Sequence, residues 1–204
     1  MRRTSWTAMI VAFIVFVVVC SYFISEPRRE VTRFITEAAA VQVHTTTLGE
    51  FRNRLEQAHF RGAHEAEIEG MRHVSFAKEN TLLYRLHLAP RTVIGATVSF
   101  EGGTASEIYL RVEVVHRGEY GPRPEGPGAV VSESTDSGKC RQHYDVEVKK
   151  RYGVGDRYWV TVGMDPCVSP QDRAKAFAVN TGCLTKIGGC KTVEDLLPAV
   201  FSSR

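Results

Sequence analysis

Four cysteines in the last third of the chain are the residues whose chemistry the sequence specifies best. They are Cys140, Cys167, Cys183 and Cys190, and they follow an apolar N-terminal run. An even number of cysteines beyond such a run indicates disulfides formed in an oxidising compartment. The glycines of the 187–189 segment can turn the chain, so we predict a Cys183–Cys190 pair, which leaves Cys140 with Cys167. Two other pairings are open. The spacing lacks the close cysteine pair of a structural zinc site.

A second group of chemically competent side chains lies between residues 59 and 73. It consists of His59, His64, Glu65, Glu67 and His73. Their spacing matches neither H-E-x-x-H nor another zinc pattern, so we interpret the group as a solvated surface and predict no metal or other cofactor. Together with Ser75, these histidines could instead serve a small hydrolase as a general base. That alternative requires His64, His73 and Ser75 to converge in one pocket.

Two short motifs resemble catalytic or phosphate-binding patterns but are incomplete. Ser75-Phe-Ala-Lys78 has the S-x-x-K spacing of penicillin-binding enzymes, without the S-D-N and K-T-G motifs that accompany it there. Ser137-Gly-Lys139 is not a Walker A loop, because Glu133 stands where the first glycine is needed and Cys140 follows the lysine. The sequence therefore predicts no catalytic residues and favours a non-catalytic domain.

The N-terminal run has the length and composition of a membrane helix. The 22 residues from Thr4 to Ser25 include no ionisable acid or base, and as a helix they extend about 33 Å, enough to cross a bilayer core of about 30 Å. We predict a cytoplasmic N-terminus at residues 1–6 and a single-pass anchor at 7–24. A cleaved signal peptide is the competing interpretation, although no A-x-A-like cleavage site is present. Acylation at Cys20 is a third.

The rest of the first half predicts helices followed by an antiparallel hairpin. Residues 25–46 indicate a juxtamembrane stalk helix or a first packing helix, and residues 47–116 form a helix-plus-hairpin half. Thr47 and Glu50 have capping-box spacing at the start of a helix that extends to about His59. We expect a loop at 61–80 with a short strand near residues 74–76, a strand at 82–88, and a hairpin of strands 94–100 and 108–114.

The second half predicts the reverse order, a hairpin followed by helices. Residues 117–139 are rich in Gly, Pro, Ser and Glu, which indicates a linker or long surface loop. In the disulfide-containing half at 140–204, alternating residues predict strands at 144–148 and 158–164. Ser169-Pro170 then opens a helix with residues 174, 177, 178 and 184 inward, and Thr192 with Asp195 caps a last short helix. The fold class is α+β, in one or two small soluble domains.

Composition and charge narrow the functional classes. The chain is 43% hydrophobic and 24% charged, which is the composition of an ordinary folded protein. Without Arg2 and Arg3 it has 24 basic and 23 acidic residues, and because this balance leaves no basic domain we predict no nucleic-acid partner. Tyr109 and Trp159 fall on polar strand faces, where they mark a binding surface unless a helix covers them. We expect a single-pass envelope protein, held in the bilayer by its N-terminal helix, whose extracytoplasmic domain binds a protein or another envelope component. The alternatives are a small periplasmic hydrolase and a passive stalk or spacer.

Overall fold

A computed structural model of the chain describes residues 3–60, 62–118, 121–123, 126–134, 143–151 and 157–202. The fold is α+β, with one long apolar helix, further short helices and a mixed sheet. The helices are α1 (Arg3–Ala39), α2 (Leu48–Gln57), α3 (Thr81–Arg85), α4 (Pro170–Phe177), α5 (Val193–Leu196) and α6 (Pro198–Phe201), with a 3-10 helix at Thr181–Leu184. The strands are β1 (His64–Ile68), β2 (Met71–Glu79), β3 (Arg91–Glu101), β4 (Thr104–Gly118), β5 (Gly121–Arg123), β6 (Gly128–Ser134), β7 (Asp145–Arg151) and β8 (Arg157–Met164).

Helix α1 has two parts with opposite environments. Its stretch Met9–Ala39 includes a window long and apolar enough to cross a membrane, and none of that window is buried against the rest of the chain. Beyond Pro27 the same helix enters the core, where Val31, Phe34, Ile35 and Ala38 are buried at helical spacing. The predicted stalk at 25–46 is therefore a packing helix up to Ala39, where the helix ends.

Seven strands form one sheet in the order β1-β2-β3-β4-β6-β8-β7, and β5 pairs with the end of β4. All pairs are antiparallel except β6 with β8, which is parallel. The predicted hairpins are confirmed as β3–β4 and β7–β8, and the turn of the second lies outside the described residues. Strand β6 connects the two hairpins, so the described parts of both halves share one sheet.

Three predictions for the connecting segments are wrong. Residues 64–79 form the hairpin β1–β2, because Glu69 and Gly70 both have positive φ, as a two-residue type I′ turn requires. Within the predicted strand at 82–88, residues 82–85 belong to helix α3 and residues 86–88 form a turn and a bend. Asn80 explains this difference: its side chain donates to the Pro90 carbonyl and accepts from the Thr92 amide, both at 2.8 Å, which closes the chain into a loop. Within the predicted linker at 117–139, residues 128–134 are strand β6.

The helices pack on one face of the sheet, which we call the covered face. Phe34 contacts Phe51, Phe60 and Phe76, and Leu110 on the central strand β4 is fully buried beneath this layer. The predicted capping boxes are present at Thr47 for α2 and at Thr192 for α5.

Ser169 caps α4 as predicted, but the inward residues differ from those expected. The buried residues of α4 are Ala176 and Phe177, while Ala174 and Ala178 are exposed. The helix ends at Phe177, so Leu184 reaches the core from the separate 3-10 helix. The predicted set assumed one helix continuing through residue 184.

Candidate functional site

The other face of the sheet, which we call the open face, carries partly exposed side chains. The two faces alternate along each strand, as the pleat requires. On β4, Ile108, Leu110, Val112 and Val114 are fully buried, whereas the residues between them are not. The open face includes Ser75, Ala77, Val93, Gly95, Thr97, Tyr109, Arg111, Glu113, Gly128 and Trp159. Both aromatic residues that the sequence placed on polar strand faces therefore lie on one surface.

A shallow cavity of about 320 Å³ lies over the middle of this face. Gly95 on β3 forms its floor, between its register partners Ala77 on β2 and Arg111 on β4. A Cβ atom at Gly95 would approach the Cβ of Ala77 to 2.9 Å, so any larger residue would fill the depression. Tyr109 lines one side of the cavity. The cavity exists because residue 95 has no side chain at this position of the strand.

Beside the cavity, Arg111 lies between an aromatic ring and a carboxylate. Its guanidinium carbon is 5.6 Å from the centre of the Trp159 ring, and its Nη2 donates to Glu113 Oε2 at 2.7 Å. The Trp159 ring lies across Gly128, where a Cβ would be 2.8 Å from the ring. Neither Gly95 nor Gly128 was predicted to shape a site. For Gly95 the clue was a glycine inside the predicted strand at 94–100, which signals close approach of another group, whereas Gly128 lay in the predicted linker.

Glu113 lines the cavity at its Val93 end, and Glu79 lies on the other side of Val93, outside the cavity. Val93 has Glu79 and Glu113 as register partners on its two sides. Burial opposes ionisation of Glu79, but hydrogen bonds from Arg91 and Thr81 outweigh it and hold the pKa of this carboxyl below its usual value. Both carboxylates at this end of the open face are therefore paired to an arginine, Glu79 to Arg91 and Glu113 to Arg111.

The three residues of the hydrolase alternative lie near one another on the open face, and no hydrogen bond joins their side chains among the described contacts. His64 and Ser75 are register partners, about 5 Å apart at Cα, and His73 lies two residues before Ser75 on the same face. The Ser75 hydroxyl donates to the His64 carbonyl at 3.4 Å, and His73 Nδ1 bonds the Ser99 hydroxyl at 2.9 Å. Ser99 is buried, which removes it as an accessible nucleophile.

The S-x-x-K motif separates across the sheet. Residues three apart on a strand point to opposite faces, and Lys78 accordingly pairs with Glu30 of α1 at 2.8 Å on the covered side. Ser75 faces the open side, in the cavity. The lysine therefore cannot act on the serine. The second motif, at residues 137–139, lies outside the described residues.

The glutamates of the group between residues 59 and 73 are bound in separate ion pairs. Glu65 pairs with Arg52 and Glu67 with Arg72, and the hydrogen bond from Arg52 lowers the pKa of Glu65. Among the described residues no cluster of three or more His, Cys, Asp or Glu could hold a metal ion. These glutamates therefore act in surface ion pairs along β1 and β2.

The cysteines divide between described and undescribed positions. Cys183 and Cys190 form a disulfide across a turn in which Gly188 and Gly189 have positive φ. Cys167 is also disulfide-bonded. Cys140, its predicted partner, lies outside the described residues. Cys20 is a free thiol within the apolar part of α1.

A buried ion pair on the covered face ties three elements together. Arg173 of α4 donates from Nε to Glu133 of β6 at 2.7 Å and from its terminal nitrogens to the carbonyls of Ala39 and Val41, at the end of α1. Burial raises the pKa of Glu133, and the attraction of Arg173 opposes that rise. A cavity of about 390 Å³ adjoins the pair. All these contacts are internal, so we interpret the cluster as structural.

Comparisons with known proteins assign no function to the open face. No family model, curated protein or solved structure matches the chain.

Proposed function

We propose that the chain is a single-pass membrane-anchored protein with its N-terminus in the cytoplasm. Its α+β domain lies outside the cytoplasm and binds a partner protein through the open face without catalysing a reaction. The observation that carries the binding proposal is the cavity over Gly95, flanked by Tyr109 and by the Arg111–Trp159 pair.

Two features of α1 support retention of the anchor. The exposed apolar stretch and the packing stretch belong to one continuous helix, and the latter supplies Phe34 to the aromatic core. Cleavage of a signal sequence would cut through this continuous helix, just before the part of it that packs in the domain. Retention of the whole helix avoids that break. The disulfides at Cys183–Cys190 and at Cys167 support an oxidising compartment.

The composition of the open face favours a protein partner. Tyr, Trp and Arg are the residues most enriched at energetic centres of protein interfaces. The cavity combines an apolar floor of Ala77, Val93 and Gly95 with a carboxylate at Glu113. A lysine or arginine of the partner fits this chemistry, because its aliphatic stem can cover the floor while its charged end approaches the Glu113 carboxylate, which it would share with Arg111. We therefore propose a partner that presents a basic side chain.

Anchor and compartment are tested together by the intact mass of the membrane-extracted chain after thiol alkylation, with and without reduction. We expect a full-length mass and four further alkylations only after reduction. A mass that corresponds to a chain starting after residue 21 or 25 would overturn the proposal that the anchor is retained. A full-length mass with all five thiols reactive before reduction would overturn the proposed compartment.

Binding is tested by photo-crosslinking in the native membrane, with benzoylphenylalanine replacing Tyr109 in the full chain. The matched control replaces Gln57, an exposed residue of α2 on the opposite layer. We expect one identified protein to crosslink from position 109 and not from position 57, and Glu113→Arg to abolish that crosslink. Equal crosslinking from both positions, or none from either, would contradict the proposal and favour a passive spacer.

The hydrolase alternative has a separate test. His73→Ala should leave the crosslink from position 109 intact, because His73 bonds Ser99 and does not line the cavity, whereas Ser75 does line it and Ser75→Ala serves only the activity test. If a hydrolytic activity of the purified full chain disappeared in both variants, the non-catalytic proposal would be wrong.

A further inference from the structure

Three exposed apolar side chains gather on two neighbouring loops, and we call them the apolar patch. Leu86 is 54% exposed, Leu88 42% and Ile187 71%. In the described part of the chain beyond α1, only two other large apolar residues are exposed, Ile68 and Val148, and they lie on the two opposite edge strands of the sheet. Grouped exposed apolar residues mark an interaction surface, whereas single ones are ordinary.

The two loops of the apolar patch are fixed to each other. The amide of Gly188 donates to the carbonyl of Leu88 at 2.8 Å, and the Pro90 ring packs so close to Gly189 that a Cβ there would be 2.7 Å from it. The Cys183–Cys190 disulfide closes the loop that carries Ile187. Ile187 is therefore held at the tip of a constrained loop although its side chain contacts little of the protein.

The apolar patch lies beside the end of the apolar run of α1. A cavity of about 570 Å³ is lined by Cys20, Ile24 and Pro27 of α1 and by residues of α3, including Leu82 and Arg85. Helix α3 is therefore level with the last turns of the run, and Leu86 and Leu88 follow it directly.

The second loop approaches the same level from the other side. At its start, the Thr181 hydroxyl bonds the Thr32 hydroxyl at 2.9 Å. Three residues later Leu184 lines the same cavity as Ile24. Since Ile24 belongs to the apolar run and lies about 12 Å from Thr32 along the helix, the chain approaches the run between Thr181 and Leu184, before it reaches Ile187.

Two basic side chains flank the apolar patch, and Glu30 and Glu79 nearby are ion-paired. Arg85 and Lys186 are exposed immediately next to Leu86 and Ile187. Glu30 pairs with Lys78, and Glu79 pairs with Arg91. Each basic residue near an anionic membrane surface contributes about 1 kcal/mol of attraction. An apolar centre with a cationic rim, adjacent to a membrane helix, matches the chemistry of the lipid interface.

We propose that the apolar patch is a membrane-docking surface. Leu86, Leu88 and Ile187 enter the interfacial region of the bilayer that α1 crosses, and Arg85 and Lys186 bind anionic lipid headgroups. This inference rests on the proposed anchor. Docking fixes the domain against the membrane at a second point, and it thereby fixes the orientation of the open face toward a partner.

Spin-label accessibility on the full chain in lipid nanodiscs tests the docking. In a Cys20→Ser background, one label replaces Leu88 or Ile187, a matched control label replaces Ile68, and a reference label replaces Phe16 in the apolar run. In discs containing phosphatidylglycerol we expect labels at 88 and 187 to gain contact with oxygen and lose contact with a water-soluble nickel chelate. The label at 68 should remain as accessible to the chelate as in detergent.

The charge contribution is measured on the same labels. Arg85→Gln and Lys186→Gln should each weaken docking about fivefold in discs with phosphatidylglycerol, and discs of phosphatidylcholine alone should show correspondingly weaker docking. If the label at 16 is lipid-exposed while that at 187 matches that at 68, docking is wrong and the anchor stands. If the label at 16 is itself in water, the anchor proposal fails first.

Discussion

The two faces of the sheet use the same strands for opposite purposes. Along β4, Leu110 is fully buried under the helices, while its neighbour Tyr109 remains partly exposed on the open face. The covered face is filled by large apolar residues, whereas the open face alternates aromatic and charged residues with glycines at 95 and 128. One face therefore contributes the buried core of the domain, and the other remains partly exposed.

The largest expected change in stability tests the two faces with substitutions at adjacent residues of β4. Leu110→Ala removes buried apolar volume and leaves a cavity, which we expect to lower the free energy of unfolding by about 3 to 5 kcal/mol. Tyr109→Ala, its matched control, should lower it by less than about 1 kcal/mol. Urea unfolding of the full chain in detergent, followed by circular dichroism, measures both. Similar losses in the two variants would show that the open face is buried as well.

The second effect concerns the buried ion pair on the covered face. Arg173→Met leaves the Glu133 carboxylate without its partner in a site where that carboxylate is 4% exposed. Removing one member of a buried pair typically costs 3 to 5 kcal/mol, and because Arg173 is itself 18% exposed we expect about 3 kcal/mol at neutral pH.

The pH dependence of this variant identifies the cause of the loss. Burial raises the pKa of Glu133 in the folded state, so the stability linked to its protonated form is present below the unfolded pKa and is lost as pH rises through the folded pKa. Without Arg173 the folded pKa rises further, and Arg173→Met should be less destabilising near pH 4 than at neutrality. Adding Glu133→Gln should remove that difference. A pH-independent loss would instead point to the freed carbonyls at the end of α1.

The sequence predicted the covered face better than the open one. Alternation located β3, β4, β7 and β8, and side-chain caps located α2, α4 and α5, because these signals are local. It did not predict β6, whose small residues lie in the centre of the sheet only because neighbouring strands pair with them. The cavity over Gly95 also depends on register across three strands, so it could not be read from any one segment.

A third, smaller effect concerns the covering layer at α5. The Asp195 carboxylate accepts backbone amides of Lys191 at 2.9 Å and Thr192 at 3.2 Å, and the Lys191 bond is the main cause of its lowered pKa. Asp195→Ala should lower the free energy of unfolding by about 1 kcal/mol. Because the folded pKa is lowered, this contribution is present above the unfolded pKa and is lost as pH falls through the folded pKa. Glu194→Gln, one residue away and exposed, is the control and should have no comparable effect in the same urea series.

The smallest expected effect is a stabilisation, and it again compares the two faces of the sheet. Thr92 on β3 is fully buried on the covered face, and its hydroxyl has no hydrogen-bond partner among the described residues. A buried hydroxyl without a partner is unfavourable, so Thr92→Val, which keeps the shape, should raise the free energy of unfolding by about 1 kcal/mol. Thr97→Val on the open face of the same strand should change it by less than about 0.5 kcal/mol. Destabilisation by Thr92→Val would mean that the hydroxyl has a partner outside the described residues, and that the covered face is less apolar than its neighbours indicate.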